Sequence, residues 1–591
     1  MEIRVADFIT NKLYEAGGEY IFLVSGGMIM HLTDAILQHK KIKYICFQHE
    51  QGAAMAAEAY ARFTGKLGIV YATAGPGVLN TITGVVGAYV DSSPCIIVGG
   101  QSKLSLAKVK GPRQFPLQGF DSLPLFKHIT KYSILLDDLS RVRYEVEKCI
   151  SMAKAHRVGP VYIECPVDLQ DAFFNPNKYE GYSQSSETLN NNKALNKQLE
   201  IIKSALTQSK QPCILAGAGV RLSGANELFL KFVNKIGIPV ITSRLGMDLI
   251  DNKHPLFVGR PGTYGDRPAN FTVQNSDLLL ILGCRLGIGL VSYDFQNFAP
   301  FAKKIIVDID ENELNKPSVK PDIAVKTDIS LFLKTLLIKL GHYRFNGYSW
   351  IKRTQEWKDR YPVDLPEYLN EKNGINSYHF MKVFSEKMSK NDVFVVDTGS
   401  CFHVHAQAFK VKYGQRHIIT GGLSTMGYMP AVIGVAASNK GKDVYCITGD
   451  GSIQMNLQEL QTVVHYKLPV KFIVFNNNGY LLIRHTQKNF CNGRLMGESP
   501  KTGVSFPDMR KIARAYGIDY IRITRLSELN SKIEKVKKHK GSIICEVITP
   551  PNQLLIPRIA SKKLDNGKMV SMPYDDMFPF LPRDEYKNNS L

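Results

Sequence analysis

Long apolar runs are missing from this 591-residue sequence, and no stretch approaches the roughly 20 apolar residues that a membrane-spanning helix needs. The N-terminal segment MEIRVADFITNKLYEAGG is typical of an amphipathic helix that ends at Gly17, and not of a signal peptide. The sequence therefore predicts a protein without a membrane partner.

Paired cysteine motifs are also missing. The ten cysteines form no CxxC pair, and most of them lie in apolar runs: Cys46, Cys95, Cys213, Cys446 and Cys545. This pattern favours buried free thiols in a reducing cytoplasm over disulfides or a zinc site.

Acidic residues are scarce relative to basic ones: 53 against 74, a formal net charge of +21. The basic residues are spread along the chain, and no nucleic-acid-binding motif is present, so we expect no nucleic-acid partner. A solvated basic surface is the simplest interpretation, and it would also favour phosphate-bearing cofactors and substrates.

What the sequence does contain is an alternation of short apolar strands with helical patterns in three blocks. The fold class it predicts is α/β, with three doubly wound parallel-sheet domains at residues 1–180, 198–340 and 376–550. A polar linker is predicted at 181–197 and a partly helical connector at 343–375. The tail, 551–591, is predicted either to pack on the core or to form a lid.

One stretch of the third domain, Val444 to Tyr480, carries a strand–GDGS–helix–strand–NNNG pattern. In such a βαβ unit, Asp450 and Asn477 would lie just beyond the carboxyl ends of neighbouring strands, where α/β sheets bind ligands. Carboxylate and amide oxygens suit Mg²⁺, which shares its ligand shell with phosphate oxygens. Gly451 and Ser452 open a helix whose free N–H groups can hold an anion. An ordinary strand-end turn is the alternative.

Gly449-Asp450-Gly451 followed by Asn476-Asn477 resembles the cofactor signature of thiamine-diphosphate enzymes. The resemblance implies that Asp450 and Asn477 bind Mg²⁺ through their side chains and Gly479 through its carbonyl. Gly451 and Ser452 would then contact thiamine diphosphate.

The N-terminal segments HEQGAAMAAEAYAR and ATAGPGVLN are similar to the pyrimidine-binding domain of the acetolactate synthase branch of these enzymes. This makes Glu50 the counterpart of the glutamate that activates the cofactor, and Gln118 that of a glutamine reaching the active site. Gly27 is assigned to the cofactor site as well. Without the resemblance, a glutamate that opens a helix could simply complement the helix dipole.

The segment GGLSTMGYMP, residues 421–430, resembles the family's GGLGxMGxGLPA. Met426 would then support the bent cofactor, with Ser424, Gly399 and Ser400 as further cofactor-binding positions. A methionine at a helix start is otherwise a common core residue.

The middle block resembles the family's central domain, which binds FAD in a non-redox role in acetolactate synthases. Glycine turns follow two of its strands at residues 217–220 and 283–287. Arg157 and Arg285 match flavin-contacting positions. The alternative is a domain that kept this fold and lost its nucleotide.

The resemblance implies a carboligase that decarboxylates a 2-oxo acid, pyruvate, and passes the two-carbon unit to a carbonyl acceptor. The family's tryptophan after the NN motif is missing, and Arg260 and Arg267 are candidates for its acceptor-binding arginine. NNNGYxxIRxTQ and SMPYDDMxPFLPRDE look more like acetolactate-synthase-like enzymes of surface-polysaccharide pathways, whose acceptor is a nucleotide-activated keto-deoxysugar. Acetolactate synthase and a simple decarboxylase are the alternatives.

The family also implies a homodimer or dimer of dimers in which one subunit supplies Glu50 and the other the diphosphate site. A non-catalytic relative is disfavoured because Glu50, Asp450 and Asn477 are all present.

Overall fold

Short runs of Val, Ile, Leu and Phe form the buried parallel strands of this protein, and helices connect each strand to the next. The computed structural model describes residues 1–183, 192–563, 566 and 569–590. The strands assemble into three sheets of six parallel strands each. The predicted fold class is therefore confirmed.

In the N-terminal sheet the first strand lies between the second strand, at the edge, and the third. In spatial order its strands are Lys43–Cys46, Tyr20–Leu23, Gly68–Ala72, Cys95–Gln101, Val161–Pro166 and Ser133–Leu135. Its helices are Val5–Glu15, Met30–Gln38, Glu50–Thr64, Pro76–Asn80, Ile82–Asp91, Leu104–Ala107, Leu123–Lys127, Val142–Lys154 and Val167–Asp171. A short antiparallel pair, Ile3–Arg4 with Phe173–Phe174, ties the two ends of this region together.

The central sheet has the strand order 3-2-1-4-5-6 of dinucleotide-binding folds. In space its strands are Phe257–Gly259, Val240–Thr242, Pro212–Ala216, Leu278–Leu282, Lys303–Asp308 and Ile323–Lys326. Its helices are Asn192–Gln208, Gly219–Leu222, Asn226–Ile236, Arg267–Asn275, Ile288–Val291, Glu311–Leu314 and Ile329–Leu340.

The C-terminal sheet repeats the order of the N-terminal one. In space its strands are Arg416–Ile419, Val393–Val396, Val444–Gly449, Val470–Asn476, Ile543–Ile548 and Asp519–Ile523. Its helices are Ser377–Lys387, Ser400–Ala408, Ala431–Ser438, Asp450–Ile453, Glu459–His465, Leu481–Phe490, Met509–Tyr516 and Leu526–Lys538. Each sheet has a point where the strand order reverses, and ligands of such sheets bind there.

The connector and the tail pack against the central region. The connector contains the helix Tyr348–Arg360, whose Trp350 Nε1 donates to the carbonyl of Pro212. In the tail, the pair Arg558–Ile559 with Met577–Phe578 and the helix Arg583–Asn589 lie against the same region. Asn270 Nδ2 donates to the carbonyl of Tyr574 at 2.8 Å, so the tail covers the central helices rather than standing free.

Residues 184–191 of the predicted linker at 181–197 lie outside the described residues, and the helix Asn192–Gln208 already begins within the linker. All ten cysteines are free, as expected, but Cys46 is exposed because its strand lies at the sheet edge. Among the described helices, none is both long and apolar enough to cross a bilayer.

Candidate functional site

The neighbouring strands Val444–Gly449 and Val470–Asn476 set the geometry of the candidate metal site. They pair in parallel with Gly449 opposite Phe475, so Asp450 and Asn477 follow their carboxyl ends side by side. The Asp450 carboxylate accepts hydrogen bonds from the N–H groups of Gly451 (2.9 Å) and Gly479 (3.2 Å). The side chain is 5% exposed, and burial raises its pKa to about 6.

The Asn477 side chain has an unused oxygen at this site. Its Oδ1 is buried and accepts no hydrogen bond from any described residue. Gly479 has φ 152°, and a Cβ there would lie 2.1 Å from the carbonyl oxygen of Glu498, so this turn requires glycine. A buried carboxylate beside an unpaired amide oxygen fits a hard divalent cation such as Mg²⁺.

Asp397 connects the loops around this site and was not assigned a role from the sequence. It is fully buried, and its carboxylate accepts hydrogen bonds from Thr448 Oγ1 (2.9 Å) and the N–H of Tyr428 (3.1 Å). The available signal was its position directly after the strand Val393–Val396, next to the point where the strand order reverses.

The other predicted C-terminal positions lie on the loops that Asp397 holds together. Gly399, with φ 89°, precedes the helix Ser400–Ala408, whose first N–H groups are free to bind an anion. Thr398 Oγ1 donates to Ser424 Oγ at 3.3 Å, and Gly427 N donates to Ser452 Oγ at 2.8 Å. Met426 lies half-buried on the same loop.

The predicted N-terminal residues form a second cluster. Glu50 opens the helix Glu50–Thr64, is 8% exposed, and accepts a hydrogen bond from Asn80 Nδ2 at 3.0 Å. A Cβ on Gly77 would lie 3.4 Å from Glu50 Oε1, which shows how closely the glycine turn approaches this carboxylate. Next to Gly27, Met28 N donates to Thr73 Oγ1 in the same turn.

Gln118 lies above this turn on an exposed loop. It adopts φ 57°, and its carbonyl would be 2.3 Å from a Cβ on Gly75. The structure thus places Gln118 at the rim of the cluster that contains Glu50.

The two clusters lie on regions that pack closely within the chain. A Cβ on Gly434 would be 2.0 Å from the carbonyl oxygen of Ala56, so the helices Glu50–Thr64 and Ala431–Ser438 cross in near contact. His49 N donates to Glu459 Oε1 at 3.0 Å. Yet among the described residues no hydrogen bond joins Glu50 to Asp450 or Asn477. We call them half-sites, because the resemblance to the family implies that each forms an active site with the other cluster of a partner subunit.

A cavity of about 240 Å³ opens at the reversal point of the central sheet. The glycine turns meet there, since a Cβ on Gly217 would lie 2.2 Å from the carbonyl oxygen of Gly283. Asp308, the last residue of the strand Lys303–Asp308, also lines it, as does Asp328, two residues after the strand Ile323–Lys326. In nucleotide sites of such sheets, glycine turns let the backbone approach the phosphates, and a carboxylate at a strand end binds the ribose hydroxyls.

Arg157 and Arg285, the two predicted flavin-contacting residues, both line this cavity. Arg157 Nη1 donates to Asp310 (2.8 Å) and Glu313 (2.9 Å). Arg285 Nη1 donates to the carbonyl of Val90 at 2.6 Å.

Arg260 and Arg267 do not face an open site. Arg260 donates to the carbonyl of Ala406 and to Asn252 Oδ1, and Arg267 donates to the carbonyl of Met577. Both arginines are buried and hold the chain in place.

Comparison with known proteins matches three segments of the chain, one for each of the three sheets. Residues 3–125 match "Thiamine pyrophosphate enzyme, N-terminal TPP binding domain", residues 199–336 match its central domain, and residues 397–547 match its C-terminal TPP binding domain.

Full-length relatives are similar throughout. The acetolactate synthase large subunit of Cyanidium caldarium is 32% identical, covering 93% of this chain and 94% of its own length. A probable acetolactate synthase large subunit of Methanococcus aeolicus is also 32% identical, with coverages of 93% and 92%. The large subunit of Lactococcus lactis is 31% identical, with coverages of 97% and 96%.

The chain belongs to the thiamine pyrophosphate (thiamine diphosphate) enzyme family. Within that family it is an enzyme of the acetolactate synthase type.

Proposed function

We propose that this protein is a Mg²⁺-dependent carboligase of the cytoplasm that decarboxylates pyruvate and transfers the two-carbon unit to a second 2-oxo acid. The observation that carries the proposal is the buried pair at the strand ends, Asp450 with its raised pKa and Asn477 with its unpaired oxygen. Membership of the family and the names of the relatives support the choice of reaction.

On this proposal Asp450 and Asn477 bind Mg²⁺ through their side chains and Gly479 through its carbonyl. The N–H groups at Ser400 and Ser452 would hold the diphosphate beside Gly451, whose own N–H donates to Asp450, and Asp397 connects these loops. Ser424, Gly399 and Met426 would also hold the cofactor. Thiamine diphosphate, when bound, supplies the electron sink that makes loss of CO₂ possible.

Glu50 holds and returns a proton at the pyrimidine ring of the cofactor. Asn80 fixes the orientation of its carboxylate, and the burial of Glu50 keeps bulk water away from it. Gln118, at the rim, contacts the reacting groups. By the resemblance to the family, a homodimer would complete each active site, with Glu50 from one subunit and Asp450 from the other.

The central cavity is the proposed site of FAD in a non-redox role. Its position at the strand-order reversal, the touching glycine turns and the two lining arginines support this. Reconstituting the protein with FAD and measuring the flavin retained after desalting would test it.

A nucleotide-activated keto-deoxysugar is the second candidate acceptor. The observation that favours it is the helix Leu481–Phe490, which directly follows the metal loop. It carries no tryptophan, and its Ile483 and Thr486 are exposed.

The deciding experiment is incubation with labelled pyruvate and a panel of acceptors, with separation of the labelled products. Acetolactate as the main product supports the proposal. Transfer only to the nucleotide sugar would replace the 2-oxo acid acceptor, and release of acetaldehyde alone would show a simple decarboxylase.

A further inference from the structure

A buried glutamate, Glu164, lies beneath the loop that carries Gln118. Its side chain is 2% exposed, and its Oε1 accepts hydrogen bonds from Ser122 Oγ (2.6 Å), Tyr162 OH (2.9 Å) and Gln101 Nε2 (3.3 Å). Among the described residues, no lysine, arginine or histidine forms an ion pair with it. Three neutral donors thus converge on one buried carboxyl group that no step of the proposed reaction uses.

Two of these donors attach the loop to the N-terminal sheet. Residues 108–115 of the loop are all exposed. The loop returns to the sheet at Phe120, whose carbonyl accepts a hydrogen bond from Gln101 Nε2 at 3.0 Å, and at Ser122, which donates to the buried carboxyl group. Gln118 precedes Phe120 by two residues, so its position depends on both attachments.

The surroundings of Glu164 favour its protonated form. Burial raises the pKa of its carboxyl group to about 7, and the nearby Asp121 carboxylate on the loop acts in the same direction. Lys110 lies 3.8 Å from Asp121, at the exposed side of the loop. The other titratable groups beside it, the Tyr162 hydroxyl and the Cys165 thiol, have pKa values that burial raises, so they stay neutral at neutral pH.

Loss of the Glu164 proton is therefore linked to opening of the loop. With the loop open, water reaches the carboxyl group, and its pKa returns towards the usual 4.5. The closed loop thus binds the proton more tightly than the open loop does. The resulting stabilisation of the closed loop is complete below about pH 4.5 and is lost as the pH rises to about 7.

We propose that Glu164 is a positioning residue for Gln118: while protonated it holds the loop closed over the Glu50 cluster, and the loop opens when the proton leaves. This assignment rests on the proposed function, in which Gln118 contacts the reacting groups. In the closed loop the carbonyl of Gln118 lies against the glycine turn of that cluster, at Gly75. Movement of the loop therefore moves Gln118 relative to the cofactor site.

The first test is hydrogen exchange of the full-length protein between pH 5.0 and 7.5, measured by mass spectrometry. Each rate is divided by the intrinsic rate at the same pH, which gives the equilibrium constant for opening. The reporters are the N–H group of Gly119, bonded to the carbonyl of Pro116, and those of Leu125 and Phe126, bonded to the carbonyl of Ser122. The opening constant should rise about tenfold per pH unit between pH 5 and 7 and level off above pH 7.

Glu164→Gln keeps the shape of the side chain but has no proton to lose, so its opening constant should not change with pH. Glu145→Gln is the matched control. Glu145 is 5% exposed and accepts hydrogen bonds from Tyr132 OH (2.7 Å) and Arg141 Nη2 (2.6 Å), on the helix Val142–Lys154. This control should keep the wild-type slope.

The second test follows CO₂ release from pyruvate at the same pH values. The ratio of the Glu164→Gln rate to the wild-type rate should rise by up to about tenfold per pH unit as the wild-type loop opens. Repeated in a Gln118→Ala background, the ratio should stay constant, because Glu164 acts through Gln118. A purely structural role of Glu164 would change the rate equally in both backgrounds.

A wild-type opening constant that does not depend on pH overturns the assignment, and this outcome requires no variant to fold. The assignment also fails if Glu164→Gln retains the wild-type slope, or if the rate ratio does not depend on pH or on Gln118. If the wild type releases no CO₂ from pyruvate at any pH, the proposed function fails, and hydrogen exchange alone then decides whether Glu164 controls the loop.

Discussion

At the scale of single residues, the proposed metal site depends on the charge of one carboxylate. Asp450→Asn keeps the shape of the side chain and removes its negative charge. We expect Mg²⁺-dependent binding of thiamine diphosphate to weaken by at least about 100-fold, because even outer-shell changes at metal sites cost about 10- to 100-fold. Titration calorimetry with and without Mg²⁺ measures this. Asp359→Asn, at an exposed position, serves as the control.

Glu50 is expected to affect turnover more than cofactor affinity. Glu50→Gln preserves the hydrogen-bonding shape of the side chain but cannot exchange a proton. CO₂ release from pyruvate should drop about 10²- to 10⁴-fold, the range for loss of a general acid–base group. Thiamine diphosphate affinity should change little. Decarboxylation at the wild-type rate would show that Glu50 only caps its helix.

At the scale of elements, Asp91 joins the central cavity to the loop that carries Met426. Its carboxylate accepts hydrogen bonds from the N–H groups of Gly421 (3.1 Å) and Gly422 (2.9 Å). Arg285 Nη2, in the wall of the cavity, lies 3.5 Å from Asp91 Oδ1. A ligand that moved Arg285 would therefore act on the cofactor loop through one side chain.

A methyl group at Gly422 tests this connection. It would lie 2.2 Å from Val90 Cγ1 and 2.6 Å from Asp91 Oδ1, so the loop must shift. Gly422→Ala should weaken thiamine diphosphate binding about tenfold or more, comparable to other supporting-shell changes. Gly87→Ala is the matched control, since a Cβ there meets nothing within 4 Å. Equal affinity in both variants would separate the loop from the cofactor.

The sequence predicts some elements well and others poorly, for identifiable reasons. Val444–Gly449 and Val470–Asn476 are continuous apolar runs bounded by glycine and asparagine turns, and these runs fix both the strands and the position of Asp450. Asp397 was missed because its role depends on three loops that meet only in the folded chain. Arg260 and Arg267 were candidates by sequence, because only the fold shows that both side chains are buried and bonded to neighbouring carbonyls.

A buried histidine pair links the helix Ser400–Ala408 to the strand Arg416–Ile419 and should make stability depend on pH. His405 Nε2 and His417 Nδ1 are 2.9 Å apart. Burial holds the pKa of both well below the usual range, and Arg260, which acts on both, adds repulsion. The unfolded chain therefore binds more protons, and the stabilisation present above about pH 6.5 is lost as the pH falls.

Below about pH 6.5, the free energy of unfolding should fall by about 1.4 kcal/mol per pH unit for each of the two histidines. The free energy of unfolding, followed in urea between pH 7.5 and 5.5, measures the slope. His405→Gln should make the slope shallower, while His342→Gln, at an exposed position, should leave it as in the wild type. A slope that does not respond to His405→Gln would assign the pH dependence to other groups.

At the scale of the whole molecule, the separation of the half-sites predicts complementation between two inactive variants. Glu50 takes its hydrogen bond from Asn80, and Asp450 takes its from Gly451 and Gly479, so each half-site is built without the other. If a two-fold dimer brings the Glu50 of one subunit to the Asp450 of its partner, the two substitutions can be placed on different subunits.

Glu50→Gln and Asp450→Asn proteins, each nearly inactive alone, are unfolded or dissociated together, mixed in equal amounts and reassembled. Half of the dimers formed at random are mixed, and each of these carries one site with both wild-type residues and one site with neither. Activity should therefore rise to about a quarter of the wild-type value. Should both residues act within one chain, every site would contain one substitution and mixing would restore nothing. Reassembled wild-type protein gives the reference, and the two outcomes differ too widely for partial reassembly to confuse them.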